Sequence, residues 1–163
     1  MEIILAENHG FCYGVKRAVE MANEAANGAG KSYTLGPIIH NPQVVGRLES
    51  KGVKPIDEVS DIDSGTMIIR SHGVGPAIYE EAENKGLNIV DATCPHVKKA
   101  QQDAKSVIED GMTLVILGEK NHPEVKSINL WANNEGIIIE DEESAQKLQI
   151  VEKMGVVVQT TFS

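Results

Sequence analysis

Short apolar runs alternate along this chain with longer amphipathic stretches, and glycine or proline marks most of the boundaries between them. Strand-like runs fall at Glu2 to Ala6, Ser32 to Leu35, Thr66 to Ile69, Asn88 to Val90, Thr113 to Leu117, Gly136 to Ile139 and Val156 to Gln159. Helical patterns fall between them, at Val15 to Ala26, Pro42 to Ser50, Pro76 to Asn84, Val97 to Glu109 and Pro123 to Ala132. Most of these open on proline or close on glycine, the usual asymmetry of helix ends. Val, Ile and Leu fill the strands without polar alternation, which predicts an α/β fold with helices over both faces of a parallel sheet.

The chain also repeats itself. Cys12-Tyr13-Gly14-Val15-Lys16-Arg17-Ala18 lines up with Cys94-Pro95-His96-Val97-Lys98-Lys99-Ala100, 82 residues further on. The same offset of 82 carries Leu35-Gly36 and His40 onto Leu117-Gly118 and His122. Ile68-Ile69-Arg70-Ser71-His72 resembles Val157-Val158-Gln159-Thr160-Thr161 at an offset of 89, as a short insertion would produce. Two copies of one unit are therefore expected, each with a cysteine, a helix, a strand, a glycine, a histidine and a polar strand tip.

Composition narrows the class. With 15 Lys+Arg against 24 Asp+Glu the net charge is -9, which disfavours phosphate backbones and anionic membrane surfaces. No apolar run approaches the roughly 18 to 20 residues of a membrane span, and the first residues lack the pattern of a signal peptide. A cytoplasmic location is expected, with no nucleic-acid or membrane partner. In reducing cytosol the two cysteines, Cys12 and Cys94, are expected to act as ligands or nucleophiles and not as a disulfide.

In parallel α/β sheets ligands gather at the carboxyl ends of strands, where the following helices present partly positive N-termini. His40, His72, Cys94, His122, Thr160 and Thr161 all follow predicted strands, so one pseudo-symmetric centre could collect them. A lone histidine there is ordinarily a hydrogen-bonded loop residue, but matched repeat positions argue for function. Each cysteine directly precedes a helical pattern, where the helix N-terminus favours anionic sulfur. Glu124 is either a first-turn carboxylate favoured by the helix dipole or, two residues from His122, a proton donor. His9 and His96 read as structural or surface residues, and Trp131 and the methionines as packing. Thiolates suit an iron-sulfur cluster, mixed Cys and His suit zinc, and imidazoles with hydroxyls suit an anion such as a diphosphate. Spacing alone leaves these open.

The segments Gly10 to Ala18, Ile39-His40-Asn41, Arg70 to Val74, Val90 to Pro95, Gly118 to Val125 and Gln159-Thr160-Thr161 together resemble the 4-hydroxy-3-methylbut-2-enyl diphosphate reductases of the non-mevalonate isoprenoid pathway. That resemblance implies a trefoil of three related α/β domains around an oxygen-sensitive [4Fe-4S] cluster, with one cysteine per domain and one iron left open. It implies Cys12 and Cys94 as two cluster ligands. It implies His40, His72, His122 and Thr160 as substrate-binding residues and Glu124 as the proton donor. The reaction so implied removes the allylic hydroxyl with two electrons and two protons, giving isopentenyl and dimethylallyl diphosphates, with reduced ferredoxin or flavodoxin as the electron source. The expected organisation is an opening strand and first cysteine loop over 1–13, one α/β repeat over 14–94 and a second over 95–163. The family continues past this point with a third domain and a third cysteine. The 163-residue chain is accordingly expected to be an amino-terminal portion, inactive alone and prone to dimerise. The alternative is a two-domain protein that binds zinc or a diphosphate without redox turnover.

Overall fold

In a computed structural model the chain is described over residues 2–7, 9–28, 30–149 and 152–162. Proline sets the start of four of its helices, because its fixed φ suits the first turn and its missing N–H is not needed there. These are α2 (Pro42–Ser50), α3 (Pro76–Asn84), α4 (Pro95–Glu109) and α5 (Pro123–Trp131). Helix α1 (Tyr13–Ala26) precedes them and the short α6 (Glu142–Gln146) follows. Gly86 and Gly111, with φ of 67° and 70°, end α3 and α4 in the left-handed conformation.

Strands β1 (Ser32–Leu35), β2 (Val53–Ile56), β3 (Thr66–Ile69) and β4 (Asn88–Asp91) form one parallel sheet in the order β2-β1-β3-β4. Strands β5 (Thr113–Leu117), β6 (Ile137–Ile139) and β7 (Met154–Val158) form a second, in the order β6-β5-β7. The internal repeat survives as topology, since β1 lies between β2 and β3 as β5 lies between β6 and β7. Register agrees with both offsets. Leu35 pairs with Ile69 and Leu117 with Val158, so positions 82 apart in the central strands meet positions 89 apart in their neighbours.

The first sheet is covered on both faces. Ile68 and Val53 pack with Ala18, Ala22, Val44 and Leu48 of α1 and α2, whereas Met67, Ile69 and Leu35 pack with Ala82 and Leu87 on the other side. The second sheet is covered fully on one face only, where Leu114, Ile116 and Val157 meet Ala100, Ala104, Val125 and Ile128 of α4 and α5. Each such buried Val, Leu, Ile or Met side chain contributes about 1.5–3 kcal/mol. On the opposite face the edge strand β7 leaves Met154, Val156 and Val158 exposed, Val156 by 53%. Helices on both faces therefore describe the first sheet better than the second.

Two local differences from the sequence reading have simple causes. Strand β2 was not anticipated because Val53-Lys54-Pro55-Ile56 carries a proline, which the sheet accommodates by placing the strand at its edge, Pro55 opposite Thr34. Glu2 to Ala6, expected as an opening strand, belongs to neither sheet, and Ile3, Ile4 and Leu5 are exposed. An extended run becomes a strand only beside a hydrogen-bonding partner, and none of the described strands pairs with it. Met1 and Asn8 of the expected 1–13 segment lie outside the described residues. Among the described residues no helix is long and apolar enough to cross a membrane.

Candidate active site

Every residue singled out past a strand end lies on the carboxyl side of its parallel sheet, and backbone hydrogen bonds continue the ladders outward to fix the loops there. The Ser71 N–H donates to the Ile38 carbonyl at 3.2 Å and the Cys94 N–H to the Ser71 carbonyl at 2.9 Å, tying the loops of His40, His72 and Cys94 together. In the second sheet Gly118 N–H donates to Ile139 and Gln159 N–H to Leu117, at 3.0 and 2.8 Å.

These loops bring three imidazoles together. The ring centroids of His40 and His72 are 4.5 Å apart, those of His72 and His122 5.5 Å, and those of His40 and His122 5.9 Å. One nitrogen from each lies within 4.8 Å of the others. His40 is exposed and the other two half-buried. They line a cavity of about 300 Å³ that also meets Glu124, Thr161 and Phe11. Burial, followed by the neighbouring charges of His40, Arg70 and His122, pushes the His72 imidazole down to about 3. His72 is therefore neutral near pH 7, and its Nδ1 is buried without a protein partner. Burial also lowers the guanidinium of Arg70 from its ordinary value, and its Nε has no partner either.

Glu124 is almost fully buried at 2% exposure. Both carboxylate oxygens accept from one residue: Oε1 from the Thr160 N–H at 2.6 Å and Oε2 from the Thr160 hydroxyl at 2.9 Å. Its own N–H donates to His122 Nδ1 at 3.2 Å, with His122 capping α5. Thr160 thus faces the carboxylate, and it is Thr161 that lines the cavity. The side chain of Gln159 fixes that tip, accepting from the Glu119 N–H and donating to the Thr161 hydroxyl, each at 2.9 Å.

A buried polar pair joins the two halves of the site, and sequence reasoning missed it. The Ser127 hydroxyl lies 2.8 Å from the carbonyls of both His72 and Glu124 and accepts from Gln101 Nε2 at 3.2 Å. Gln101 offered a signal, because it shares the buried face of α4 with Val97, Ala100 and Ala104. A carboxamide on an otherwise apolar stripe implies a buried partner. The sequence marks Arg70 only as part of the segment Arg70 to Val74. His9 and His96 are exposed and stand outside the imidazole group. Trp131 packs edge-on to Tyr79 and donates to the Val74 carbonyl at 2.8 Å, as expected of a packing residue.

Cys12 and Cys94 are free thiols, Cys12 exposed and Cys94 half-buried. Each is the N-cap of its helix, α1 or α4, and neither side chain is used in a capping hydrogen bond. The approach to Cys94 is held by Asp91, which accepts from Thr93 N–H at 2.9 Å, Tyr79 hydroxyl at 3.0 Å and Lys98 Nζ at 2.6 Å. Burial alone would raise this carboxyl, but the bonds from Lys98 and Thr93 outweigh it and hold it below its usual value. Neither thiol belongs to the compact imidazole group, although Phe11 and Val15, flanking Cys12, border its cavity. A larger hollow of about 460 Å³ lies against β6 and brings no histidine, cysteine or carboxylate to its walls.

Fold and site together define a repeated parallel α/β protein with an imidazole, carboxylate and hydroxyl cavity at its strand ends. The model of the LytB protein family matches residues 3–163, and the chain belongs to that family. It is 52% identical over its full length to a 4-hydroxy-3-methylbut-2-enyl diphosphate reductase of Geotalea uraniireducens, covering 58% of that relative. The figures are the same for the protein of that name from Geobacter sulfurreducens. A solved structure of (E)-4-hydroxy-3-methyl-but-2-enyl diphosphate reductase superposes with a TM-score of 0.84 at 45% identity, over 98% of this chain and 58% of the other. The Plasmodium falciparum E-1-hydroxy-2-methyl-but-2-enyl-4-diphosphate reductase superposes with a TM-score of 0.90 at 33% identity, over 95% and 50%. The chain thus spans little more than half the length of the curated relatives it matches.

Proposed function

We propose that this chain carries the substrate-binding and proton-handling part of a reductase that removes the hydroxyl of 4-hydroxy-3-methylbut-2-enyl diphosphate. Substrate, two electrons and two protons give water and either isopentenyl or dimethylallyl diphosphate. The observation that carries this reading is the single cavity ringed by His40, His72 and His122, with an unpartnered Nδ1 on His72 and Glu124 at its wall. Neutral His72 offers a hydrogen bond without the desolvation cost of a buried charge, and Arg70 adds positive potential for the diphosphate. Glu124 passes a proton to the departing oxygen during the reaction, and the Thr160 hydroxyl, bonded to Oε2, links that carboxyl to bound substrate.

Two free thiols at helix N-caps, neither used in a hydrogen bond to its own helix, suit an iron-sulfur cluster. Cys12 and Cys94 would hold it, with the third thiolate supplied from outside this sequence. When bound, a [4Fe-4S] cluster supplies the electrons and a Lewis-acidic iron for the departing oxygen. The halves 14–94 and 95–163 act in this reading as two copies of one ligand-presenting unit. Ferredoxin or flavodoxin is the electron donor, and the chain works in the cytoplasm.

One observation favours a second reading. Three imidazole nitrogens within 4.8 Å of one another suit a tetrahedral zinc with one open position, which would make this a zinc- or diphosphate-binding protein without turnover. Titration calorimetry of the allylic diphosphate into anaerobic protein reconstituted with iron and sulfide separates them, with metals measured on the same sample. Saturable binding that is lost in His72→Ala and His122→Ala, with iron and sulfide retained, supports the reductase. Absence of diphosphate binding, or zinc held in preference to iron, overturns it.

A further inference from the structure

Gly14 is the second residue of α1 and is buried, although nothing in its backbone requires glycine: its conformation is ordinary helix, where glycine is weaker than alanine. Its surroundings do require it. A Cβ built on Gly14 would fall well inside van der Waals contact with Cys94 Sγ and 3.1 Å from Cys94 Cβ. Gly46 in α2 is the contrast, because a Cβ there meets nothing within 4 Å. The internal repeat makes the same point. The position matching Gly14 in the second copy is His96, a full-sized and exposed side chain, so the missing side chain is demanded by the contact of α1 with Cys94 and not by the repeated unit itself.

We infer that Gly14 is a positioning residue for the Cys94 thiol. With no side chain, the first turn of α1 lies directly against Sγ and holds it beside the helix start that Cys12 caps. Both thiols are thereby presented from adjacent helix N-termini. This inference rests on the proposal that Cys12 and Cys94 serve one cluster, but the geometric claim stands on Gly14 and Cys94 alone. Alanine at position 14 leaves the helix intact and turns the thiol out of its place, since Sγ is the flexible side of the collision.

The test compares wild type, Gly14→Ala and Gly46→Ala as reduced, metal-free chains, following iodoacetamide alkylation of each cysteine by peptide mass spectrometry. Iron per chain after anaerobic reconstitution is the second readout. In Gly14→Ala, Cys94 is expected to alkylate at least threefold faster and bound iron to fall at least twofold, while Gly46→Ala matches wild type in both. If Gly14→Ala unfolds the chain, Gly14→Ala with Cys94→Ala is expected to restore the fold, because the colliding sulfur is gone. An unchanged Cys94 rate in folded Gly14→Ala, or failure of that rescue, overturns the inference. If wild type takes up no iron, uptake requires the third thiolate from outside this sequence, and the alkylation rates alone decide the role of Gly14.

Discussion

The depressed imidazole of His72 makes stability depend on pH in a way that can be isolated. Folding holds this group near 3, whereas the unfolded chain releases it to about 6.5, so below that value the unfolded state binds the extra proton. The His72 contribution is complete above pH 6.5 and is lost as pH falls from 6.5 toward 3. At pH 5 the unfolded side chain is almost wholly protonated and the folded one almost wholly neutral. The gap of 1.5 units from 6.5, at about 1.4 kcal/mol per unit, gives a loss of about 2 kcal/mol relative to pH 7.5. Because the folded value lies so far below 5, that figure depends on the unfolded group and hardly on the depth of the shift. Urea unfolding of metal-free wild type and His72→Gln at pH 7.5 and 5.0 is the assay. Wild type is expected to lose about 2 kcal/mol more than the variant between those conditions. Parallel losses, within about 0.5 kcal/mol, would show that His72 titrates normally and is not sequestered among His40, His122 and Arg70.

Thr160→Val removes the hydroxyl donated to Glu124 Oε2 and should weaken binding of the allylic diphosphate about tenfold by calorimetry, the equivalent of one hydrogen bond. Ser127→Ala strips the shared partner from Gln101 and from the His72 and Glu124 carbonyls, and should cost about 1–3 kcal/mol in chemical denaturation. Cys12→Ser should abolish the visible absorbance of iron- and sulfide-reconstituted protein; survival of the colour would remove Cys12 from the ligand set. Ile116→Ala, at 0% exposure on the helix-covered face of the second sheet, should destabilise by about 2–5 kcal/mol. Val156→Thr on the uncovered face should stay within about 0.5 kcal/mol.

The fold was largely legible because hydrophobic pattern and turn chemistry are local properties. Ser32–Leu35, Thr66–Ile69 and Thr113–Leu117 are apolar runs of strand length, and prolines at 42, 76 and 123 announce helix starts whatever surrounds them, whereas the helix expected from Val97 starts two residues earlier, at Pro95. The sequence also carried the repeat, since matched cysteines and histidines at a fixed offset need no coordinates to be seen. It could not say whether Glu2 to Ala6 would find a strand partner, because pairing belongs to two segments and not to one. For the same reason it named Cys12 and Cys94 but not Gly14, whose constraint is a sulfur atom 80 residues away in the chain. Candidate residues were written in the sequence, but their chemistry was decided by tertiary structure. Burial beside two imidazoles and a guanidinium makes His72 neutral, the Thr160 tip closes both oxygens of Glu124, and Ser127 locks the two loops together. Desolvation and hydrogen-bond geometry depend on what lies across the fold, and only the folded chain brings those neighbours together.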